Sequence, residues 1–456
     1  MRVVIIGGGY VGLVSGTCLA ALGADVTVVE NNPARFDMLC AGKMPVYEPG
    51  LEELSAKMRG TRRLNFVSHV SAAPAADIIC IAVGTPARHG DGHADLSHVF
   101  AAVEQAAQHL QQPAIFMTKS TVPVGTGRRI AALLAELRPE LAVHVASNPE
   151  FLREGAAIGD FMRPDRIIIG TDDPHAAGML ARIYAPLIKA GVPLLQTSLE
   201  GAELIKYAAN GFLAMKIAFV NEMADLCERI GADIAEVARG IGMDTRIGQQ
   251  FLQAGPGFGG SCFPKDTLAL MRIAQDAGAP SRLIETVVSV NDTRKSAMAS
   301  RVIAACGNAV RGKRIAVLGL TFKANTDDIR ESPAMSLVQR LMDEGAHVQV
   351  FDPAGMRHAR FQLSSGVKFH NSAMDALQGA HAAVFATEWE ELSLVTPAQL
   401  QSTMAGRVVV DLRNMLEQDA FVRSGFAYHG IGRPSQPLSH DPKSVSISSA
   451  QIRLTA

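Results

Sequence analysis

A glycine-rich segment in the middle of the chain carries the residues best suited to covalent chemistry. Four glycines between positions 255 and 260 allow the backbone to approach a ligand closely. Pro264 favours the first turn of a helix, which places Cys262 just before a helix N-terminus with Lys265 close by. Both features stabilise a thiolate. We therefore predict that Cys262 is a nucleophile and that Asp266, four residues on, shares its helix face.

Two further pairs of polar residues have helical spacing. Lys206 and Asn210 stand four residues apart, and a lysine beside an amide can stabilise an oxyanion, although a solvated helix face gives the same pattern. Glu150 and Glu154 have the same spacing just after a predicted strand. Because like charges at this spacing are mildly unfavourable, the pair indicates a functional role.

The first thirty residues predict a complete dinucleotide-binding unit. A buried apolar strand leads into Gly-Gly-Gly-Tyr-Val-Gly at 7–12, followed by a small-residue helix and a second strand that ends at Glu30. In such a unit Gly7 permits the turn, Gly9 lets a pyrophosphate approach and Gly12 lets the helix pack on the sheet. Glu30 would bind a ribose 2′-hydroxyl, which favours NAD over NADP. FAD shares the fingerprint and is the main alternative.

Three later predicted strands also end in polar or turn-forming clusters, where ligands bind in doubly wound sheets. These clusters are Gly84-Thr85-Pro86, Lys119 to Pro123 and Ser147 to Glu150. An activated cysteine beside NAD suggests a particular chemistry. A thiolate can trap an aldehyde as a thiohemiacetal, hydride loss then gives a thioester, and water releases an acid.

A repeat in the last third of the chain predicts the architecture. Residues 345–352 echo residues 23–30, and further strand patterns follow in the same order, although any two α/β domains produce some echoes. The glycine fingerprint is replaced by Gly-Leu-Thr-Phe-Lys at 319–323. We expect an α/β protein with two Rossmann-like, doubly wound parallel-sheet domains joined by a long central helix. The second domain should bind something other than a dinucleotide.

Strand patterns disappear between about 200 and 300, and Glu203 through Ile230 reads as one long helix. Its apolar face can pair with a second copy of the chain, which predicts a homodimer. The apolar positions are Leu204, Tyr207, Ala208, Phe212, Met215, Phe219 and Met223. The predicted units are a cofactor domain at 1–198, a helical dimerisation domain at 199–300, a second Rossmann-like domain at 301–432 and a disordered Ser- and Pro-rich tail at 433–456.

Composition narrows the possible partners. The 456 residues carry 43 basic and 44 acidic side chains, so the net charge of −1 offers no field for nucleic acid or an anionic membrane. The uncharged stretch 3–24 contains six glycines, which suits a membrane helix poorly. Six scattered cysteines, without Cys-x-x-Cys spacing, predict no metal site and a reducing cytoplasm.

In combination, these motifs resemble the UDP-glucose 6-dehydrogenase family of nucleotide-sugar dehydrogenases over residues 1 to about 430. The resemblance rests on GGGYVG at 7–12, KSTVPVGT at 119–126, SNPEFLREG at 147–155, the helix at 206–228, GFGGSCFPKD at 257–266 and FKANTDDIRESPA at 322–334. It implies an NAD domain, a central dimerisation segment and a C-terminal UDP-binding domain. It also implies oxidation of UDP-glucose to UDP-glucuronate with two NAD and one water.

The resemblance also implies roles for individual residues. The implied nucleophile, oxyanion pair, water-positioning pair and general base are Cys262, Lys206 with Asn210, Asp266 with Thr121, and Glu150. With the motifs above, the candidate cofactor contacts are Gly7, Gly9, Tyr10, Val11, Gly12, Glu30, Arg35, Thr85, Pro86, Ser120, Thr121, Glu154, Lys265 and Arg330. The candidate substrate contacts are Glu150, Phe151, Leu152, Lys206, Asn210, Arg246 (from the partner subunit), Phe251, Phe258, Gly259, Cys262, Phe322, Lys323 and Arg413.

Three other functions compete with this interpretation. The same chemistry on GDP-mannose or a UDP-N-acetylhexosamine would use the same cysteine and cofactor. A two-electron NAD-dependent hydroxyacid dehydrogenase would need no cysteine nucleophile and would give one NADH per substrate. A non-catalytic NAD-responsive protein would bind both ligands and turn nothing over, which the cluster around Cys262 argues against.

Overall fold

The computed structural model describes residues 1–88 and 90–433, so the tail predicted to be disordered lies outside the described residues except for Arg433. Within these ranges the strands form two separate sheets, one of eight strands and one of six. Across the same residues, none of the helices is long and apolar enough to cross a membrane.

The first sheet has the order β3-β2-β1-β4-β5-β6-β7-β8. Its strands are β1 Arg2–Ile6, β2 Asp25–Val29, β3 Leu64–Val67, β4 Ile78–Ile81, β5 Ala114–Thr118, β6 Val143–Ser147, β7 Ile167–Gly170 and β8 Leu194–Thr197. Its helices are α1 Tyr10–Ala21, α2 Pro33–Cys40, α3 Leu51–Gly60, α4 Ser97–Gln108, α5 Thr126–Leu137, α6 Ala157–Met162, α7 Pro174–Ile183 and α8 Ala185–Lys189. The central strands are apolar throughout because helices cover both faces.

Helices alone form the middle of the described chain. They are α9 Leu199–Ile230, α10 Ile234–Gly242, α11 Phe263–Asp276 and α12 Arg282–Ala305. Helix α9 begins one turn before the predicted start, because the Ser198 hydroxyl accepts the Gly201 N–H, and it ends at Gly231 in the left-handed conformation.

The second sheet has the order β11-β10-β9-β12-β13-β14 and is parallel throughout. Its strands are β9 Arg314–Leu318, β10 His347–Phe351, β11 Lys368–Phe369, β12 Ala382–Phe385, β13 Val408–Asp411 and β14 Ala427–Gly430. Its helices are α13 Pro333–Asp343, α14 Met356–Gln362, α15 Ala373–Leu377, α16 Glu390–Ser393, α17 Pro397–Thr403 and α18 Gln418–Arg423. The predicted fold class is confirmed. The antiparallel pairing of β6 with β7 departs from the predicted parallel sheet.

The two faces of α9 differ from the prediction of one apolar stripe. Leu204, Phe212 and Phe219 are exposed in the single chain, whereas Tyr207 is fully buried. The buried face also carries polar side chains, which are Glu203, Lys206, Asn210 and Asn221. Buried charge on a helix is costly unless it is paired, so this face indicates a functional site.

Candidate active site

The turn after β1 is shaped by glycine. A Cβ on Gly12 would lie 1.9 Å from the Gly7 carbonyl oxygen, and Gly7 itself has a φ of +113° that favours glycine. By contrast, a Cβ on Gly9 would meet nothing within 4 Å. The backbone at the N-terminus of α1 is therefore open to an anion such as a pyrophosphate. Of the two neighbours, Val11 packs partly into the core, and Tyr10 donates its hydroxyl proton to Glu48.

The acid at the end of β2 lies beside this turn. Glu30 is only 5% exposed, and its carboxylate accepts the Asn32 N–H at 2.8 Å. The Arg35 guanidinium lies 3.6 Å from the other carboxylate oxygen and donates to the Gly8 carbonyl. A Cβ on Gly8 would come within 2.6 Å of that oxygen. Since the carboxylate keeps lone pairs beside an open turn, these residues fit the ribose and pyrophosphate of NAD.

The loops after β4 and β5 are tied to each other. The Ser120 hydroxyl donates to the Val83 carbonyl at 2.7 Å, and the Thr85 hydroxyl donates to the Thr121 carbonyl at 2.8 Å. Pro86 is exposed beside them, whereas Lys119 points inward to the Asn148 side chain at 3.0 Å. The clusters predicted at these strand ends therefore lie together, whereas the Lys119 side chain is buried in the interior.

Cys262 lies at the N-terminus of α11 and is partly exposed. The Ser261 hydroxyl is 3.6 Å from its Sγ atom. The cation whose charge acts on the thiol is Lys206 of α9. Lys265, which was predicted to stabilise the thiolate, is instead paired with Asp266 at 2.5 Å. The adjacent carboxylate offsets the charge of this ammonium, and a role of Lys265 in stabilising the thiolate stays a prediction.

Burial raises the pKa of Cys262 to about 11, and the charges of Glu150 and Asp266 act in the same direction. The Lys206 ammonium lowers that pKa. In the ligand-free chain these surroundings favour the thiol, which is the opposite direction from the expected stabilisation of a thiolate. The thiol proton must leave the sulfur when a bond to sulfur forms.

Lys206 is held between two residues of the loop after β6. Its Nζ lies 3.3 Å from Glu150 Oε1 and 5.2 Å from the centre of the Phe151 ring. Burial alone would lower the pKa of Lys206, but Glu150, Cys262 and Asp266 together raise it above its ordinary value. The lysine is therefore a buried permanent cation. The other Glu150 oxygen accepts the Leu152 N–H at 2.6 Å.

Asn210, one turn further along α9, donates to Asp266 Oδ2 at 2.6 Å. Asp266 is 1% exposed. One of its carboxylate oxygens accepts from the Asn210 amide, and the other accepts from the Lys265 ammonium. An amide nitrogen carries two donors, which leaves one Asn210 proton for a ligand. The structure thus places Lys206, Asn210 and Asp266 near Cys262, where the sequence predicted them.

Glu154 joins all three parts of the chain. It accepts from Ser261 at 3.1 Å and from Thr326 at 2.8 Å, and it lies 3.9 Å from the Arg330 guanidinium. Arg330 itself forms a two-pronged pair with Asp328. Burial, and then the charge of Asp328, raises the pKa of Glu154. In this arrangement Glu154 and Arg330 connect the cysteine loop to the C-terminal half.

The cysteine loop packs directly on the C-terminal half. A Cβ on Gly260 would meet the Phe322 ring at 2.7 Å, and one on Gly259 would meet the Glu331 carbonyl at 2.4 Å. Arg413 donates to the Phe322 carbonyl at 2.5 Å. Burial lowers the pKa of the neighbouring Lys323. Two candidate substrate residues, Phe322 and Arg413, therefore lie against the loop that carries Cys262, and Lys323 adjoins Phe322.

Two candidate substrate residues are held near the loop, and one lies apart. Phe258 is buried and exchanges two hydrogen bonds with the Asn291 amide, while Phe251 has a φ of +64° and packs near the Phe263 ring at 6.1 Å. The Arg246 side chain is 87% exposed and bonds Asp244. Within this chain, Arg246 is not brought to the site.

Sequence reasoning missed several residues that hold the site together. The missed residues are Glu48, Ser261, Asn291, Thr326 and Asp328. Glu48 accepts the Gly155 and Ala157 N–H groups, which ties the loop after β6 to Tyr10. Its partners are far away in sequence, so no local pattern marked it. Ser261 adjoins Cys262 and is the one residue that proximity alone could have found.

Fold and site together define a class: a dehydrogenase with a dinucleotide sheet, a cysteine on a central helix and a second Rossmann-like half. The chain belongs to the UDP-glucose/GDP-mannose dehydrogenase family, whose NAD-binding, central and UDP-binding domains match residues 1–188, 200–293 and 316–418. This membership confirms the resemblance and the enzyme class, and it confirms NAD over FAD.

Full-length relatives agree. The chain is 53% identical over 437 residues to a UDP-glucose 6-dehydrogenase of Rhizobium meliloti (strain 1021), covering 95% of this chain and 100% of the relative. It is 42% identical to a UDP-glucose 6-dehydrogenase of Bacillus subtilis (strain 168), with 95% and 94% coverage. A solved UDP-glucose dehydrogenase from Pyrobaculum islandicum superposes with a TM-score of 0.87 at 38% identity, over 95% and 98% of the chains.

Proposed function

We propose that this chain oxidises UDP-glucose to UDP-glucuronate by four electrons, consuming two NAD and one water. The observation that carries the proposal is the cluster of Cys262 with the buried side chains of Lys206, Glu150 and Asp266, in a chain that also has an NAD-binding domain. A two-electron alcohol oxidation has no use for a cysteine in that position. The relatives named UDP-glucose 6-dehydrogenase support the choice of sugar.

The N-terminal sheet edge supplies the cofactor site. The open turn at Gly9 would hold the pyrophosphate, and Glu30 would accept hydrogen bonds from the adenosine ribose. Bound NAD supplies a hydride acceptor for each of the two oxidations. Phe322, Lys323 and Arg413 of the C-terminal half would hold the UDP group, because Phe322 and Arg413 lie against the cysteine loop and Lys323 adjoins Phe322.

The covalent steps follow from the cluster. After the primary alcohol has lost a hydride and a proton, the Cys262 sulfur bonds to the aldehyde carbon, and the thiol proton passes to the aldehyde oxygen. Lys206 and the free proton of Asn210 stabilise the negative charge on that oxygen. Loss of the second hydride and of the hydroxyl proton leaves a thioester on Cys262.

Hydrolysis completes the cycle. Glu150 takes a proton from water as the water oxygen bonds to the thioester carbon, the carbon–sulfur bond breaks, and the sulfur regains a proton. Asp266 and Thr121 would orient that water. The Lys206 ammonium, whose Nζ lies 3.3 Å from Glu150 Oε1, would hold that carboxylate in place.

A second copy of the chain is proposed to cover the exposed side of α9. Phe212, Phe219 and Leu226 repeat every seven residues and are each about half exposed, with Leu204 extending the same face. A seven-residue apolar repeat fits an isologous helix pair. Light scattering should give twice the 48.4 kDa chain mass, and Phe219→Asp should shift the mass toward one chain. A cytoplasmic location suits the six free thiols.

The decisive experiment counts NADH. With excess NAD and limiting UDP-glucose, we expect two NADH per sugar, and we expect Cys262→Ala to form no acid while still binding UDP-glucose. One NADH per sugar, or normal acid formation by the variant, would overturn the thioester scheme. Turnover only with GDP-mannose or a UDP-N-acetylhexosamine would keep the mechanism and replace the substrate.

A further inference from the structure

One buried carboxylate beside the site has no part in the proposed chemistry. Glu203 is 2% exposed and lies on α9, three residues before Lys206. Its Oε2 accepts the Gly125 N–H and its Oε1 accepts the Gly127 N–H, both at 2.7 Å. The carboxylate therefore spans the N-terminus of α5, whose first amide groups have no partner within the helix.

The glycines make this contact possible. Gly125 has a φ of +91°, and a Cβ on Gly127 would lie 3.2 Å from Glu203 Oε1 and 3.0 Å from the Leu199 side chain. The segment that they end begins at Lys119 and carries Ser120 and Thr121. Hydrogen bonds from Ser120 and Thr85 fix its beginning on the sheet, and Glu203 fixes its end on α9.

We propose that Glu203 is a positioning residue that sets the 119–127 segment against the helix that carries Lys206 and Asn210. The segment is bonded to Val83 and Thr85 of the loop after β4, and that loop lies against Gly7 of the cofactor turn, so the position of the segment should control NAD affinity more than sugar affinity. The expected effect on the affinity for UDP-glucose rests on the proposed function. The expected effect on NAD affinity rests on the NAD-binding domain alone.

The charges around Glu203 give a second readout. Burial raises the pKa of Glu203 to about 7, the two backbone N–H groups and Arg128 of α5 oppose that shift, and Glu200 adds to it. Two other titratable groups lie on the buried face of α9: Tyr207 stays neutral because burial raises its pKa, and Lys206 stays charged because the carboxylates around it outweigh its burial. Only the carboxylate accepts both N–H groups well. NAD should therefore bind more tightly as pH rises through about 7.

The test compares two neighbouring carboxylates. Glu203→Gln keeps the size but replaces one acceptor with a donor, so we expect about a tenfold weaker NAD affinity by calorimetry without sugar, equivalent to about 1.4 kcal/mol. We expect the KM for UDP-glucose to change less than about twofold and the pH dependence near 7 to disappear. Glu200→Gln, which removes only an exposed pair with Arg128, should behave like the wild type.

Each outcome decides the inference. Unchanged NAD affinity in Glu203→Gln, or a KM for sugar that rises as much as the NAD dissociation constant, would overturn it. Should that variant not fold, Gly127→Ala displaces the same carboxylate, and normal NAD affinity there would overturn the inference too. An inactive wild type with intact NAD binding would instead contradict the proposed function and leave this test in force.

Discussion

The acidic residues that follow the second strand of each sheet have different roles. Glu30 follows β2 and Asp352 follows β10, and both strands adjoin the first strand of their sheet. Glu30 accepts one backbone N–H and faces an open turn. Asp352, 1% exposed, receives six hydrogen bonds. Its donors are the N–H groups of Leu320, Thr321, Ala354 and Gly355, the Thr321 hydroxyl and the Trp389 indole.

The difference explains why one topology serves two tasks. A carboxylate with unused lone pairs at a strand end is a ligand acceptor, whereas a saturated one is part of the structure. The turn after β9 also differs. Gly319 matches Gly7, and both have a positive φ and crowded surroundings, but the position of the open Gly9 is taken by Thr321, which is fully buried and donates its hydroxyl to Asp352. Side chains of the C-terminal half itself therefore occupy the carboxyl edge of the second sheet. In the proposed function, the ligand contacts of this half come instead from Phe322, Lys323 and Arg413.

Removing the saturated acid should have the largest effect on this comparison. Asp352→Ala leaves five donors without their acceptor, since the Trp389 indole keeps its bond to the Thr321 hydroxyl, and we expect it to lower the free energy of unfolding by about 4 kcal/mol, even if water replaces some bonds. NAD affinity should stay within about twofold. Urea unfolding followed by fluorescence measures this directly, because Trp389 is the only tryptophan and lies beside Asp352.

The control is Asp352→Asn, which keeps one acceptor oxygen and should lose about half as much stability. A loss below about 1 kcal/mol in Asp352→Ala would mean that the bonds to this carboxylate are readily replaced by water, and the contrast with Glu30 would fail.

Removing the open acid should have the reverse profile. We expect Glu30→Ala to weaken NAD binding about 10- to 100-fold, because a hydrogen bond to a charged group contributes about 1.5–3 kcal/mol. The free energy of unfolding should change by less than about 1 kcal/mol, since only one backbone N–H loses its partner. Calorimetric titration and urea unfolding of the same samples separate the two effects. Equal losses of stability in Glu30→Ala and Asp352→Ala would erase the distinction.

Much of the fold and of the cofactor site could be predicted from local sequence patterns. The glycine turn and Glu30 were predictable because a strand, a tight turn and a helix N-terminus are set by adjacent residues. The filled edge of the second sheet was not, because Asp352 is saturated by donors from loops that are distant in sequence. The echo of residues 23–30 in 345–352 marked the position of Asp352 and said nothing of its partners.

The charge state of the nucleophile shows the same limit. The sequence placed Cys262 at a helix N-terminus and Asp266 four residues on, as the structure has them. It did not show that Lys265 pairs with Asp266, or that Glu150 from another loop raises the pKa of Cys262. Electrostatics depends on every charge within several ångströms, and most of those charges arrive by tertiary folding.

The smallest expected effect concerns Asp411, a second carboxylate in the C-terminal half that is occupied by hydrogen bonds within the chain. Asp411 ends β13 and is fully buried, with bonds from the Leu416 N–H, the Tyr428 hydroxyl and the Arg413 N–H. The strand at the corresponding place in the first sheet ends in the neutral Thr118. Burial raises the pKa of Asp411 above its ordinary value of 3.8.

The sign of its pH effect follows from linkage. Between that ordinary value and the raised one, the folded state holds a proton that the unfolded chain has released, so the contribution of Asp411 to stability falls as pH rises through this window. Asp411→Asn removes the titration. The stability difference, wild type minus variant, should therefore decline by less than about 1 kcal/mol from about pH 4 to about pH 7, as read from Trp389 fluorescence in urea. A difference that grows with pH would show that the hydrogen bonds, rather than burial, control this carboxylate.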